Sequence, residues 1–183
     1  MKTRRNFTRR SLSLAVALTL VSVVAVSATD VPAIAASGNL LTNADMEGGT
    51  TGWSVFGAGT LSANTSVVHG GTQSLSITGR TASWNGPGQS MTSKLTNGKS
   101  YTTSVWVRSQ SGTPSAKVTL ALTANGTTNY VQLTPAATIN TGGWTQLTGT
   151  ASVSWSGTLT GATLYVETAA GSDSFLVDDA SLR

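Results

Sequence analysis

The segment ATLYVET, residues 162–168, alternates two kinds of side chain. Leu164 and Val166 occupy every second position, and Thr163, Tyr165 and Glu167 occupy the positions around them. In an extended strand, a period of two places these two sets on opposite faces. The aliphatic face suits a core, whereas a tyrosine on the polar face is a poor core residue. The segment therefore predicts a β-strand with the core on one side and a binding surface on the other.

The same alternation recurs in other short segments. In residues 128–133, Val131 and Leu133 share one face, and Tyr130 and Gln132 lie on the other. Turn residues separate such segments at intervals of about 8–12 residues, a spacing typical of all-β sandwiches and barrels. We predict strands over residues 40–46, 52–56, 59–68, 73–78, 89–93, 100–109, 116–124, 128–133, 144–153, 162–168 and 175–182.

The formal net charge of +4 depends on the N-terminal segment. Five of the eleven basic residues precede residue 11, and they are followed by an apolar run, residues 12–26, and by small residues at 33–36. This order predicts a cleaved secretory signal over residues 1–35. The apolar run is too short and too interrupted for a stable membrane span. A general secretory signal is the simpler interpretation, although residues 8–12 also loosely fit a twin-arginine signal.

The remaining segment, residues 36–183, is nearly neutral and has the length of one domain. A neutral surface argues against a nucleic-acid partner, and no membrane association is expected after signal removal. We expect a secreted monomer. The chain contains no cysteine, which excludes disulfides and thiolate zinc sites. Six basic residues (Arg80, Lys94, Lys99, Arg108, Lys117, Arg183) balance six acidic ones (Asp45, Glu47, Glu167, Asp173, Asp178, Asp179).

A tryptophan in a turn-like, polar setting indicates what the binding surface recognises. It lies in GRTASWNGP, residues 79–87. Sugars present flat C–H faces edged by hydroxyls, so a sugar site needs aromatic rings and a few convergent polar groups. Such groups are available here, and an ionised glutamate among them accepts charge-assisted hydrogen bonds from sugar hydroxyls. The alternative is that these aromatic rings only close the ends of the sheets. The candidate ligand-binding residues are Trp84, Tyr130, Gln132, Tyr165 and Glu167.

The other tryptophans are predicted to be structural. Trp53, Trp106, Trp144 and Trp155 lie in or beside strands rich in valine and leucine, so we expect each of them to pack in the core. Arg80, at the start of the GRTASWNGP segment, is expected to hold that loop in place rather than to contact a ligand.

Several motifs together resemble those of family 22 carbohydrate-binding modules, the xylan-binding modules attached to many bacterial xylanases. GRTASWNGP, TNYVQL, GWTQLTGT, LYVET and FLVDDASL occur in the order found in that family. The opening NLLTNADMEGGTTGW resembles the start that this family shares with families 4 and 9. The similarity covers residues 39–182. It implies that Trp84, Tyr130, Tyr165 and Glu167 line a xylan cleft, with Gln132 as a further candidate. Two positions depart from the family pattern: Phe56, where members often have arginine, and Thr163, where they often have an aromatic residue.

Carboxylates near the two ends of residues 36–183 suggest a metal site. Asp45 and Glu47 lie near its start, and Asp178 and Asp179 lie in the last strand. With backbone carbonyls of residues 69–73 they would form an all-oxygen site, which suits calcium. The residues alone leave open the alternative of solvated acids at two chain ends. The resemblance implies a structural calcium ion with Glu47 and Asp178 as side-chain ligands.

The acidic residues do not predict a catalytic site. Glycoside hydrolysis needs two carboxylates about 5–10 Å apart across one bond. Glu167 is the sole acid on the predicted ligand face, and Asp173 falls in or beside the next turn. No Ser-His-Asp triad can be assembled convincingly around His69, which we expect at the surface.

The sequence therefore predicts an all-β protein, a jelly-roll β-sandwich of two antiparallel sheets. We expect it to bind xylan or a related β-1,4- or β-1,3-1,4-glycan without cleaving it. One alternative is the N-terminal binding module of a secreted endo-xylanase whose catalytic domain is absent from this chain. Two others are a small hydrolase or lyase acting at Glu167, and a structural envelope or adhesion protein.

Overall fold

Residues 38–183 are described by a computed structural model, and every regular element within them is a β-strand. The predicted signal, residues 1–35, lies outside the described residues. Nothing helical between residues 38 and 183 has the length and apolarity needed to cross a membrane. The strands are β1 Ser54–Phe56, β2 Thr60–Asn64, β3 Ser74–Thr78, β4 Gly86–Ser90, β5 Lys99–Ser109, β6 Ser115–Ala124, β7 Thr127–Gln132, β8 Ala137–Thr138, β9 Thr145–Val153, β10 Leu159–Thr168 and β11 Phe175–Leu182.

These strands form two antiparallel sheets. The first sheet has the order β1-β4-β10-β6-β7, with β8 also beside β6, and the second has the order β2-β3-β11-β5-β9. Successive strands often change sheet: β4 and β6 belong to the first, whereas β5 between them belongs to the second. The predicted all-β class with two antiparallel sheets is confirmed.

The core lies between the sheets and follows the alternation in the sequence. Leu164 and Val166 of β10 are 2% and 1% exposed, and Val105 and Val107 of β5 are equally buried. Burying a side chain of this size contributes about 1.5–3 kcal/mol. The other large members of the core include Leu75, Ile77, Met91, Leu120, Leu147 and Phe175.

The prediction of a first strand over residues 40–46 is wrong. The segment forms turns, because Asn43 and Met46 adopt positive φ angles of 48° and 60° that a strand does not contain. Side-chain hydrogen bonds hold it instead: the Asn39 amide donates to the Ala180 carbonyl at 3.0 Å. The two-residue strand β8 was missed, since two residues carry no alternation.

Three of the four tryptophans expected in the core lie elsewhere or only partly within it. Trp53 is 6% exposed and belongs to the core, as predicted. Trp106 follows the alternation of β5 and therefore faces away from the core, where it stacks on His69 with ring centroids 4.0 Å apart. Trp144 meets the same histidine edge-on at 5.9 Å. Trp155 is half-buried and packs against the margin of the core.

Candidate functional site

A cleft of about 550 Å³ opens on the outer face of the first sheet. The structure brings together in it all five side chains that the sequence predicted as a ligand-binding set. Three residues that were not predicted also line it, namely Phe56, Lys117 and Thr119. Nothing in the alternation of β6 distinguishes an outward lysine or threonine in a cleft from one on an ordinary solvent-exposed face.

Strand register explains why these side chains meet. Tyr165 of β10 lies opposite Thr119 of β6, and Thr119 lies opposite Gln132 of β7. Two residues further along β10, Glu167 lies opposite Lys117. Because paired residues of neighbouring strands point to the same face, these five positions project outward together. Tyr130, two residues before Gln132, shares that face.

The aromatic side chains of the cleft differ in their accessibility. Trp84 and Tyr130 are 49% and 63% exposed, whereas Tyr165 is only 2% exposed. The ring of Phe56 covers Tyr165 in a nearly parallel stack, with centroids 4.0 Å apart and planes at 18°. Phe56 also meets Trp84 edge-on, with centroids 6.0 Å apart and planes at 78°. The rings of Trp84 and Tyr130 are therefore open to solvent, whereas the ring of Tyr165 lies beneath that of Phe56.

Polar groups of the cleft surround one carboxylate. Thr119 donates a hydrogen bond from its hydroxyl to Oε1 of Glu167 at 2.5 Å, and the ammonium of Lys117 lies 3.6 Å from the same oxygen. Burial raises the pKa of the Tyr165 hydroxyl. The negative charge of Glu167 raises this pKa further, and Tyr130 has a smaller effect in the same direction. Tyr165 therefore keeps its proton throughout the physiological pH range.

Arg80 anchors the loop that carries Trp84. It is 6% exposed, and its guanidinium lies over the ring of Phe175, 4.7 Å from the centroid. Every hydrogen bond that it donates ends on the loop, on the last residue of β10 or on the segment after β10, as expected of a residue that holds the loop in place. The acceptors are the carbonyls of Asn85 at 2.7 Å, Asp173 at 2.5 Å and Ser83 at 2.5 Å, and the hydroxyl of Thr168 at 2.7 Å.

Asn85 fixes the same loop from within. Its side-chain oxygen accepts hydrogen bonds from the backbone N–H groups of Thr81 at 3.1 Å and Ala82 at 2.8 Å. Gly57 has a φ angle of 83°, and a Cβ atom there would overlap the side chains of Asn85 and Trp84. Position 57, in the turn after β1, must therefore be a glycine if Trp84 is to lie beside the cleft.

The carboxylates predicted to bind calcium both contact the turn at residues 69–73. Oε1 of Glu47 accepts hydrogen bonds from the backbone N–H groups of Thr72 at 2.8 Å and Gln73 at 2.9 Å. Oδ2 of Asp178 accepts them from His69 at 2.8 Å and Gly70 at 3.3 Å. Within residues 38–183, no three His, Cys, Asp or Glu side chains lie close enough to hold a metal ion by themselves.

The pKa values of these two carboxyl groups are shifted in opposite directions. The hydroxyl of Thr72, followed by its backbone N–H and that of Gln73, holds the pKa of Glu47 below its usual value. Burial raises the pKa of Asp178, and backbone N–H donors only partly offset that rise. Asp178 is therefore a buried acid that a nearby cation would stabilise in its charged form.

The cleft holds a single carboxylate among the described residues. Glu167 is the one acid that lines it. Asp173 lies instead beside the loop of Arg80, where its carboxylate accepts a hydrogen bond from the Ser111 hydroxyl at 3.2 Å. The two-carboxylate arrangement of a glycoside hydrolase does not occur in this cleft.

Comparison with known proteins places the chain among carbohydrate-binding modules. A family model for the carbohydrate binding domain CBM_4_9 matches residues 38–174. The chain is 35% identical over 148 residues to endo-1,4-beta-xylanase A of Thermoanaerobacterium saccharolyticum, covering 79% of this chain and 13% of that enzyme. It is 33% identical over 147 residues to exoglucanase XynX of Acetivibrio thermocellus, covering 77% and 13%. The chain thus spans about an eighth of these relatives.

The fold has a close structural counterpart. The CBM22-1 xylan-binding domain of Paenibacillus barcinonensis Xyn10C superimposes with a TM-score of 0.67 at 28% sequence identity. The match covers 73% of this chain and 86% of that domain.

Proposed function

The chain belongs to the carbohydrate binding domain family CBM_4_9, as a relative of the family 22 modules, and we propose that its cleft binds xylan or a related β-1,4- or β-1,3-1,4-glycan. It matches a non-catalytic binding module and not a catalytic domain. The predicted site residues, Trp84, Tyr130, Gln132, Tyr165 and Glu167, are proposed to form the ligand site.

One observation carries this proposal. Trp84 and Tyr130 are the two large hydrophobic side chains that are exposed in residues 38–183, and both line the same cleft. Isolated exposed aromatic residues need no explanation, but two of them converging on one concavity mark a binding site. Polar side chains lie beside these rings, which suits a ligand with apolar faces and hydroxyl edges; they are Lys117, Thr119, Gln132 and Glu167.

Each polar group has a distinct role in this proposal. The ionised carboxylate of Glu167 accepts hydrogen bonds from sugar hydroxyls, and Thr119 and Lys117 hold it in position. Gln132, exposed on β7, both donates and accepts hydrogen bonds. With a single carboxylate in the cleft, the glycan is bound without being cleaved.

Affinity electrophoresis of the purified protein tests the proposed function. We expect gels containing xylan to retard the protein more than gels containing mixed-linkage glucan or hydroxyethylcellulose. Equal mobility in all these gels and in a gel without polysaccharide would contradict glycan binding. Stronger retardation by a glucan would show that the protein binds a glycan but that its preferred ligand is the glucan and not xylan.

The cellular location and oligomeric state of the module are also proposals. The matched relatives are about eight times longer than this module, and they include xylanases. We propose a secreted, monomeric binding module with residues 1–35 as its export signal. The alternative is that it acts beside the catalytic domain of a longer xylanase. The mass of the protein recovered from the culture medium checks this: cleavage near residue 35 is expected, and an uncleaved chain would contradict it.

We further propose a structural calcium ion at Glu47 and Asp178. Carboxylates and backbone carbonyls are the oxygen ligands that calcium prefers, and both carboxylates contact the 69–73 turn. Asp178 is fully buried, and within residues 38–183 it forms no ion pair with a cationic side chain. A bound cation would offset the cost of burying its charge. The calcium ion would join the segment before β1 that carries Glu47, the 69–73 turn and β11.

Removal of calcium is expected to lower stability without affecting the cleft. A ligand bound at about one hundred times its Kd stabilises the folded state by about 2.7 kcal/mol, so excess chelator should lower the Tm by several degrees. Affinity for xylohexaose should change little, because the 69–73 turn joins strands of the second sheet and the cleft lies on the first. The Tm of Glu47→Gln should no longer respond to the chelator. A chelator-insensitive Tm in the unmodified protein would show that no such site exists.

A further inference from the structure

The two rings that stack at the floor of the cleft are not equally available to a ligand. Tyr165 is 2% exposed, whereas Phe56 is half-buried and lines the cleft. The rings lie nearly parallel at 4.0 Å, so Phe56 occupies one face of Tyr165. A sugar ring needs an open aromatic face for stacking, and Tyr165 does not offer one.

The path of β4 explains how Phe56 reaches this position. Strand β4 lies between β1, which carries Phe56, and β10, which carries Tyr165. Phe56 lies opposite Gly86, and Gly88 lies opposite both Ser54 and Tyr165. A Cβ atom on Gly88 would lie 3.3 Å from the Cβ of Tyr165. Because neither glycine carries a side chain, neither places one between the two rings. Phe56 therefore lies across β4 and rests on Tyr165.

We propose that Phe56 is a sugar-stacking residue of the cleft and that Tyr165 is its buried support. This inference rests on the proposed function, because it names which ring contacts the glycan. The rings of Phe56 and Trp84 are nearly perpendicular, so they form two adjacent sides of the cleft. A ring without a polar group contributes stacking alone, and the hydrogen bonds come from Glu167 and Gln132. The ligand portion at Phe56 is therefore the C–H face of a neutral pyranose unit.

Two substitutions at Phe56 separate stacking from simple coverage of Tyr165. Phe56→Leu keeps an apolar side chain over Tyr165 but removes the aromatic face, and Phe56→Tyr keeps that face. We expect Phe56→Leu to weaken xylohexaose binding about tenfold, the loss expected when one stacking ring is removed from a flat ligand. Phe56→Tyr should bind within about threefold of the unmodified protein. Calorimetric titration measures both, and melting curves establish that both variants fold.

The outcomes distinguish this inference from the function on which it rests. If the unmodified protein binds xylohexaose and Phe56→Leu binds it equally well, the role of Phe56 is wrong and the proposed function stands. If Phe56→Tyr loses as much affinity as Phe56→Leu, the aromatic face is not what the ligand contacts, and the inference is also wrong. If the unmodified protein binds no xylan, mixed-linkage glucan or their oligosaccharides, the proposed function fails and this inference fails with it.

Discussion

Arg80→Met is expected to lower the free energy of unfolding by at least about 3 kcal/mol. Methionine keeps an unbranched chain against Phe175 but donates no hydrogen bonds. The carbonyls of Asn85 and Asp173 would then lose a charged donor, and so would that of Ser83, which keeps the backbone N–H of Thr168 at 3.1 Å. Hydrogen bonds to charged groups contribute about 1.5–3 kcal/mol each. Urea unfolding followed by tryptophan fluorescence measures the change.

Arg108→Met is a matched control for that substitution. Arg108 lies on the outer face of the second sheet, and its guanidinium donates one hydrogen bond, to the carbonyl of Thr141 at 2.6 Å. A surface change of this kind is expected to stay within about 0.5 kcal/mol. In Arg80→Met the folded fraction should also bind xylohexaose more weakly, because the Trp84 loop has lost its anchor. Equal stability losses in the two variants would contradict the anchoring role of Arg80.

Trp84→Ala and Trp53→Ala are expected to have opposite effects. Trp84 is about half exposed, so its removal should leave the free energy of unfolding nearly unchanged. Loss of a stacking ring should nevertheless weaken xylohexaose binding by about 1–3 kcal/mol. Trp53 is buried, and its indole N–H donates to the Asn43 carbonyl at 3.0 Å. Its removal opens a cavity and should cost about 3–5 kcal/mol of stability.

Melting curves and calorimetric titrations of both variants check this contrast. The folded fraction of Trp53→Ala should keep most of its affinity, since Trp53 does not line the cleft. If Trp84→Ala melts as early as Trp53→Ala while its folded fraction still binds normally, Trp84 is a packing residue and the cleft has been misinterpreted.

Local alternation predicted much of this architecture. Period-two patterns identify which residues of β7 and β10 face outward, and antiparallel pairing through β6 brings Tyr130, Gln132, Tyr165 and Glu167 to one face. Trp84 comes from a loop, and its motif predicted a ligand role that alternation could not. The five predicted site residues therefore meet in one cleft, and their contact with sugar stays a prediction.

Other features depend on contacts between distant segments, which alternation does not encode. Phe56 lies on a three-residue strand, and its place over Tyr165 follows from two glycines on the strand between them. Trp106 was predicted to be buried because valines flank it, although flanking valines in a strand place the residue between them on the opposite face. The alternation was present in the sequence and was misinterpreted at that position.

Nuclear magnetic resonance of the tryptophan indole N–H groups during titration with xylohexaose locates the ligand in a single experiment. All five tryptophans lie within residues 38–183, and Trp84 alone among them lines the cleft. We predict that the Trp84 signal shifts progressively and saturates, while the signals of Trp53, Trp106, Trp144 and Trp155 stay nearly fixed. A saturating shift at Trp106, Trp144 or Trp155 with an unmoved Trp84 signal would place the glycan elsewhere and contradict the cleft as the binding site.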